Sequence, residues 1–276
     1  MDPKSVFITG ASSGLGRGLA LHYVRAGAVV HAAARRKREL HELAAEAAAL
    51  GGPGRIVPIP LDVADAQALT SALDVAERAR PTGLDLVIAN AGVGGPTPAR
   101  KMDWVKVKQI LDVNVTAACI TVAAALPPMV ARKSGTVVAM ASLAGFRGLP
   151  GSAAYCASKA ALHTFMESVR VDLRGSGVHA LTIYPGFVKT EMTAKNKKQM
   201  PFLMELDAAV RAIAAGIDAR KPLIAFPFPL ATLMRGVRAL PRPVYEVLAS
   251  LGDRRARKVG RTSPAASPSD PAGPAA

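Results

Sequence analysis

Cysteine is nearly absent: Cys119 and Cys156 are the only two in 276 residues. Two thiols make no disulfide framework. Both fall in apolar or alanine-rich surroundings, where a free thiol behaves as a small buried hydrophobe. Metal-ligand clusters are missing as well, because the five histidines are scattered. Aromatic residues amount to 4%, which argues against the stacking platforms of single-strand nucleic-acid binders. Acidic residues are scarce, 20 against 35 Lys and Arg, and the net charge is +15. Such an excess raises nucleic acid, an anionic membrane surface or an acidic substrate as partners. No nucleic-acid motif accompanies the charge, so nucleic acid is not expected. No basic segment leads into a long apolar stretch near Met1, so no signal peptide is expected. The longest apolar candidate for a membrane span, Pro222–Met234, has 13 residues and three prolines. Crossing a bilayer takes roughly 20. A cytoplasmic protein without a membrane span is the expectation.

Half of the residues are hydrophobic, enough for one sizeable core. Apolar runs occur at Ser5–Thr9, Val29–Ala34, Ile56–Leu61, Leu84–Ala89, Thr136–Ala141 and Ala180–Tyr184. None alternates cleanly with polar residues, the pattern of strands buried on both faces. Helical stretches such as Arg36–Leu50, Ala66–Arg80 and Ala153–Leu173 lie between them. The order predicts an α/β fold, a doubly wound and mainly parallel sheet of Rossmann type with helices on both faces. Ligands of such sheets bind beyond the carboxyl ends of the strands.

Those ends carry the polar signals. The first strand runs into Thr9-Gly10-Ala11-Ser12-Ser13-Gly14-Leu15-Gly16. Gly10, Gly14 and Gly16 let the backbone pass close to a pyrophosphate, and the following helix aims its free N–H groups at that anion. The second strand ends in Arg35-Arg36, with no Asp or Glu at that end. A ribose 2′-hydroxyl is met by an acid there and a 2′-phosphate by a cation, and Arg grips phosphate through a fork of donors. NADP(H) is therefore expected over NAD(H). Asp62, followed by Val63, ends the third strand. Its carboxylate suits an adenine amino group or a helix cap. Asn90-Ala91-Gly92 ends the fourth and leaves room for the cofactor ribose.

Tyr155 and Lys159 stand at i and i+4, on one face of a helix. An ammonium near a phenol favours its ionised form. Ser142 ends the fifth strand. With TGASSGLG at 9–16, Asp62, NAG at 90–92, Asn114, YCASK at 155–159, and Pro185-Gly186 followed by Thr190, the chain resembles the short-chain dehydrogenase/reductase family over roughly residues 4–226. Ala89 stands where that family usually has an asparagine. The resemblance implies a catalytic set of Asn114, Ser142, Tyr155 and Lys159. Tyr155 would be the general acid in carbonyl reduction, and the base in the reverse direction. Lys159 would lower its pKa and bind the nicotinamide ribose. Ser142 would hold the substrate oxygen, and Asn114 a water leading from Lys159 to solvent. Leu15, Val63, Pro185, Gly186, Val188 and Thr190 would join the cofactor site. Homodimers or homotetramers, built through the helices carrying Asn114 and Tyr155, are implied too.

Residues 187–206 fall where that family carries a substrate lid, and Met192 there, with Phe146 opposite, suggests an apolar ketone or secondary alcohol. Lys195, Lys197 and Lys198 suggest instead a β-keto thioester on an acidic carrier protein or coenzyme A. A dinucleotide-sensing regulator is the non-catalytic alternative. Residues 189–261 hold fifteen Lys/Arg against six Asp/Glu. A catalytic domain over 1–226, a basic amphipathic helical extension over 227–259 and a disordered tail over 260–276 are expected. Arg235, Arg238 and Arg242 would share one face of the extension, opposite Leu230, Leu233, Met234 and Val237. That arrangement suits peripheral contact with an anionic membrane.

Overall fold

The computed structural model describes residues 3–194 and 200–261. Its strands are β1 (Ser5–Thr9), β2 (Val29–Ala34), β3 (Arg55–Pro60), β4 (Leu86–Ala89), β5 (Gly135–Met140), β6 (Val178–Pro185) and β7 (Leu223–Phe226). All pair in parallel in one sheet, in the order β3-β2-β1-β4-β5-β6-β7. The helices are α1 (Gly14–Arg25), α2 (Lys37–Ala49), α3 (Ala66–Arg78), α4 (Trp104–Leu111), α5 (Ala117–Ala131), α6 (Ala153–Asp172), α7 (Glu191–Ala194), α8 (Leu206–Asp218), α9 (Phe228–Ala239) and α10 (Arg242–Arg261). The doubly wound sheet with a helical extension is thus present.

Alternation along each strand splits the core into two layers. Val6, Ile8 and Val30 meet Leu19 of α1, Leu40 of α2 and Ile213 of α8 on one face. Phe7, Val87 and Val137 meet Leu69 of α3, Val122 of α5 and Met166 of α6 on the other. Each fully buried Leu or Phe contributes roughly 1.5–3 kcal/mol. Neither face is polar, which is why no strand alternates in sequence. β3 is one outer strand. Its Arg55 and Leu61 neighbours donate backbone N–H groups inward to Ala28 and Ala34. Pro58 and Pro60 occupy positions whose donors would face outward, so this edge offers little to an added strand.

The helical run Trp104–Ala131 is the one among the described residues long and apolar enough to cross a membrane, with a mean hydropathy of 1.7. This corrects the choice of Pro222–Met234 as the longest candidate. Thr121, Val122, Ala125 and Met129 are buried in the run, while Val130 lies at the surface. It is the core helix of an α/β sheet, apolar on more than one side.

By contacts the chain forms two compact units, 1–238 and 239–276. The first includes α9 as far as Arg238, beyond the 226/227 boundary set at the end of β7. The described part of the second is α10, which takes in Gly260 and Arg261; the rest of the expected tail lies outside the described residues. Arg235, Arg238 and Arg242 do not share a helix face. The helix ends at Ala239 and Arg242 opens the next one. Pro241 and Pro243 are the cause, since proline stops a helix interior yet fits a first turn.

Candidate active site

Helix α6 places Tyr155 and Lys159 one turn apart, below the ends of β5 and β6. Lys159 is 3% exposed, and its Nζ donates to the Met140 carbonyl at 2.7 Å. Two residues on, Ser142 opens a short 3-10 turn, its Oγ accepting the Ala144 N–H at 3.1 Å. The same hydroxyl donates to the Pro185 carbonyl at 3.3 Å and lies close enough to the Tyr155 phenol to pull its pKa down. The strand-end serine and the helical tyrosine therefore lie together.

Asn114 joins them from the opposite side. It is buried in a π-helical turn, Asp112–Thr116, between α4 and α5. π turns widen a helix locally and recur at functional sites. Its Oδ1 accepts the Val93 N–H at 2.7 Å, and its Nδ2 donates to the Val93 carbonyl at 3.0 Å and to Ser158 Oγ at 3.0 Å. Ser158 in turn donates to the Tyr155 carbonyl at 2.7 Å. Both amide donors are used, so a water held by this side chain has only the second lone pair of Oδ1. Gly92 lies between the partners: a Cβ there would sit 3.4 Å from Asn114 Oδ1 and 3.5 Å from Lys159 Nζ.

Burial governs the protonation states. It pulls Lys159 from 10.5 to about 8. It pushes the Tyr155 phenol above its ordinary value, against the downward pull of the nearby Ser142 hydroxyl. The expected acidification of Tyr155 by Lys159 is therefore not seen in the chain alone. The ammonium faces Met140 and lies 5.8 Å from the centre of the Tyr155 ring. Tyr155 is a phenol at neutral pH, the form that can give a proton. Cys119 is half-buried and Cys156 buried, and burial raises both thiols.

The glycine turn makes a cradle that side chains would fill. Gly10 has φ +69°, and a Cβ there would lie 2.7 Å from Ala91 Cα. One on Gly16 would lie 2.4 Å from the Gly10 carbonyl. Asn90 is committed to this turn. Its Nδ2 donates to the carbonyls of Thr9 at 2.9 Å and Gly10 at 3.2 Å, while Thr9 Oγ1 accepts the N–H groups of Asn90 and Ala91. Ser13 caps α1 without a side-chain hydrogen bond, so the first-turn donors stay available to an anion. Thr190 faces Gly14 across the channel, 3.3 Å from where a Cβ would stand. Val188 is buried behind it. Arg36 donates to Ser12 Oγ at 3.1 Å and to Glu191 at 2.9 Å. Arg35 lies 3.8 Å from Asp62. Asp62 does not cap α3; Asp65 does, through the Ala68 N–H. Asp62 Oδ1 instead accepts the Ala64 N–H at 3.0 Å. These residues fit a dinucleotide: backbone donors for a pyrophosphate, space for ribose, two cations at the second strand.

Of the two substrate positions, Met192 lies at the site. Its Sδ and the Tyr155 ring both lie within 4 Å of where a Cβ on Gly94 would point. The Phe146 ring is taken up elsewhere, 5.1 Å from the Tyr184 ring and 5.7 Å from the Arg238 guanidinium. Arg238 also contacts His163, so α9 turns this arginine onto the body. Lys195, Lys197 and Lys198 lie outside the described residues. Sequence reading missed Ser158, Thr9 and Glu191. The first two sat in recognised motifs without a role of their own, and nothing in sequence joins Glu191 to Arg36.

A profile of the short chain dehydrogenase family matches residues 4–201. An uncharacterized oxidoreductase of Myxococcus xanthus is 51% identical over 249 residues, 90% of this chain and 97% of that protein. 11-beta-hydroxysteroid dehydrogenase 1A of Arabidopsis thaliana is 37% identical over 193 residues, 69% of this chain and 54% of that protein. Among solved structures, a short-chain dehydrogenase from Sphingobium yanoikuyae in complex with NADPH is 25% identical, with a TM-score of 0.73 over 95% of this chain and 98% of that one. With this fold, this cradle and these relatives, the chain belongs to the short-chain dehydrogenase/reductase family and is an NAD(P)-dependent oxidoreductase.

Proposed function

We propose that the protein is an NADP(H)-dependent reductase of an apolar ketone, able to oxidise the matching secondary alcohol. The observation that carries this is the gathering of the Tyr155 phenol, Ser142 and the buried Lys159, whose Nζ lies 5.8 Å from the tyrosine ring centre, with Asn114 tied to the same turn through Ser158. A bound reduced nicotinamide supplies the hydride. Ser142 and Tyr155 hold the substrate oxygen between their hydroxyls. As negative charge grows on that oxygen, the Tyr155 phenol gives up its proton. Lys159 steadies the resulting phenolate, and Asn114 with Gly92 keeps the path from Lys159 toward solvent in place. Met192 covers the apolar side. Arg35 and Arg36 hold the 2′-phosphate.

Two measurements test this. NADPH consumption with a panel of ketones, aldehydes and β-keto thioesters is expected to be fastest with a bulky apolar ketone. Preference for a thioester, with inhibition by modest salt, would favour the charged-carrier reading. Replacing both Arg35 and Arg36 by Ala is expected to raise the KM for NADPH and leave that for NADH within twofold. Charge-assisted hydrogen bonds contribute about 1.5–3 kcal/mol each, so the rise should be about tenfold or more. Equal effects on both cofactors would remove the arginines from 2′-phosphate recognition.

We also propose a homodimer or homotetramer through α4, α5 and α6, whose outer surfaces expose Trp104, Val105 and Val171. In the second unit, α10 exposes Val244, Val247, Leu248 and Leu251, a stripe at helical spacing next to a basic stretch. We propose that it gives peripheral contact with an anionic membrane. The full chain should sediment with phosphatidylglycerol vesicles and a chain ending at Arg238 should not. Equal sedimentation would defeat the idea.

A further inference from the structure

A groove lies away from the catalytic residues, on the outer half of the sheet. Its volume is about 440 Å³, within the roughly 300–1,000 Å³ of small-molecule sites. Three elements build it by their own periodicities. Alternate residues Val29 and His31 of β2 and Arg55, Val57 and Ile59 of β3 form the floor. Ser71 and Val75 of α3 and Ala79 just past its end, spaced four apart, form the wall with Ala72. Most of this lining is aliphatic. The polar exceptions are few. Arg55 starts β3 and Arg80 follows α3, so both stand at the amino-terminal end of the strands, opposite the catalytic end. Arg55 is exposed and makes no ion pair among the described residues. Arg80 gives Nη1 to the Lys4 carbonyl at 3.0 Å. His31 is 5% exposed, yet its Nε2 has no hydrogen-bond partner. A buried nitrogen of this kind is rare in a native core and calls for a partner.

The groove is therefore apolar along its length, cationic at one end and polar at one point of its floor. A strand from another protein does not suit it, because Pro58 and Pro60 remove outward donors from the adjoining edge. We propose that the groove binds a small amphipathic carboxylate. Its aliphatic chain lies on Val57, Ile59 and Val75, and its carboxylate rests at Arg55 and Arg80. His31 supplies the polar point on the floor. The two arginines select the anion, and the aliphatic walls select the chain.

Calorimetric titration of the full-length protein with decanoate, below its micelle-forming range and with NADPH present, tests the site. Decanol and acetate serve as probes lacking one half of the ligand. Saturable decanoate binding is expected, at least tenfold tighter than either probe. Arg55→Glu is expected to weaken it at least tenfold, and Val75→Trp, which fills the groove, to abolish it. Val75 is 70% exposed, so the tryptophan needs no space in the core. NADPH turnover should be unchanged in both variants, which certifies their folding. Three results would overturn the proposal: no saturable binding, decanol bound as tightly as decanoate, or decanoate binding unaltered in both variants. The last would place the ligand elsewhere, such as the substrate site.

Discussion

Tyr155→Phe is expected to lower kcat for carbonyl reduction by about 10²–10⁴-fold, the usual weight of a positioned general acid, while NADPH still binds. The substitution removes one oxygen and nothing else. The ring keeps its place on α6, and Lys159 keeps its hydrogen bond to Met140. What is lost is the phenol proton beside Ser142. Ser142 cannot replace it, because an alcohol is a far weaker acid than a phenol. Because burial raises the Tyr155 pKa, the wild-type reduction rate should not fall across neutral pH through loss of the phenol proton. Steady-state kinetics beside NADPH fluorescence titration separates chemistry from binding. A variant that binds NADPH normally and keeps more than a tenth of wild-type kcat would remove Tyr155 from the chemistry. A variant that loses NADPH binding would make it a cofactor residue first.

The same residues show how far a sequence carries. The strand ends were legible because each ended an apolar run in a residue unlike it: a glycine turn, a pair of arginines, an Asp, an Asn-Ala-Gly, a Ser. Doubly wound sheets gather such ends at one edge by geometry alone, so the cluster followed from the order of elements. The direction in which each group points did not. Asn90 read as room for a ribose, yet its amide ties β4 to the glycine turn. Asp62 read as an adenine acceptor or a cap for α3, and the cap lies three residues later at Asp65. Both depend on side-chain torsions that no pattern of residue types encodes. Lys159 is the instructive case. Spacing put it near Tyr155, but its desolvation depends on distant parts of the chain closing over it until only 3% is exposed. The sequence offered only the sign of its influence on the phenol, and in the chain alone burial, not Lys159, sets the direction of the phenol's shift.

Lys159→Met is expected to cost activity and relieve strain in the same molecule. Loss of the ammonium leaves a developing Tyr155 phenolate without its cation, and kcat should again drop by about 10²–10⁴-fold. Stability should move the other way, or not fall. Holding this ammonium out of water shifts its pKa from 10.5 to about 8, a penalty of about 3 kcal/mol at neutral pH. Methionine has similar reach and no charge to desolvate. Against that, the Met140 carbonyl loses its donor, which costs about 1–3 kcal/mol. The variant should therefore lie between wild-type stability and about 2 kcal/mol above it at pH 7. The pH dependence gives the sign without that uncertainty. The unfolded lysine keeps its proton to about pH 10.5, while the folded one releases it near pH 8. Between those values the unfolded state binds more protons, so wild-type stability rises with pH. The variant lacks this slope. Urea denaturation of both proteins should show wild type gaining roughly 2–3 kcal/mol on the variant between pH 7 and 10. A difference that stays flat over that range would mean that Lys159 is hydrated in the folded protein. Its place beneath Tyr155 would then have to be redrawn.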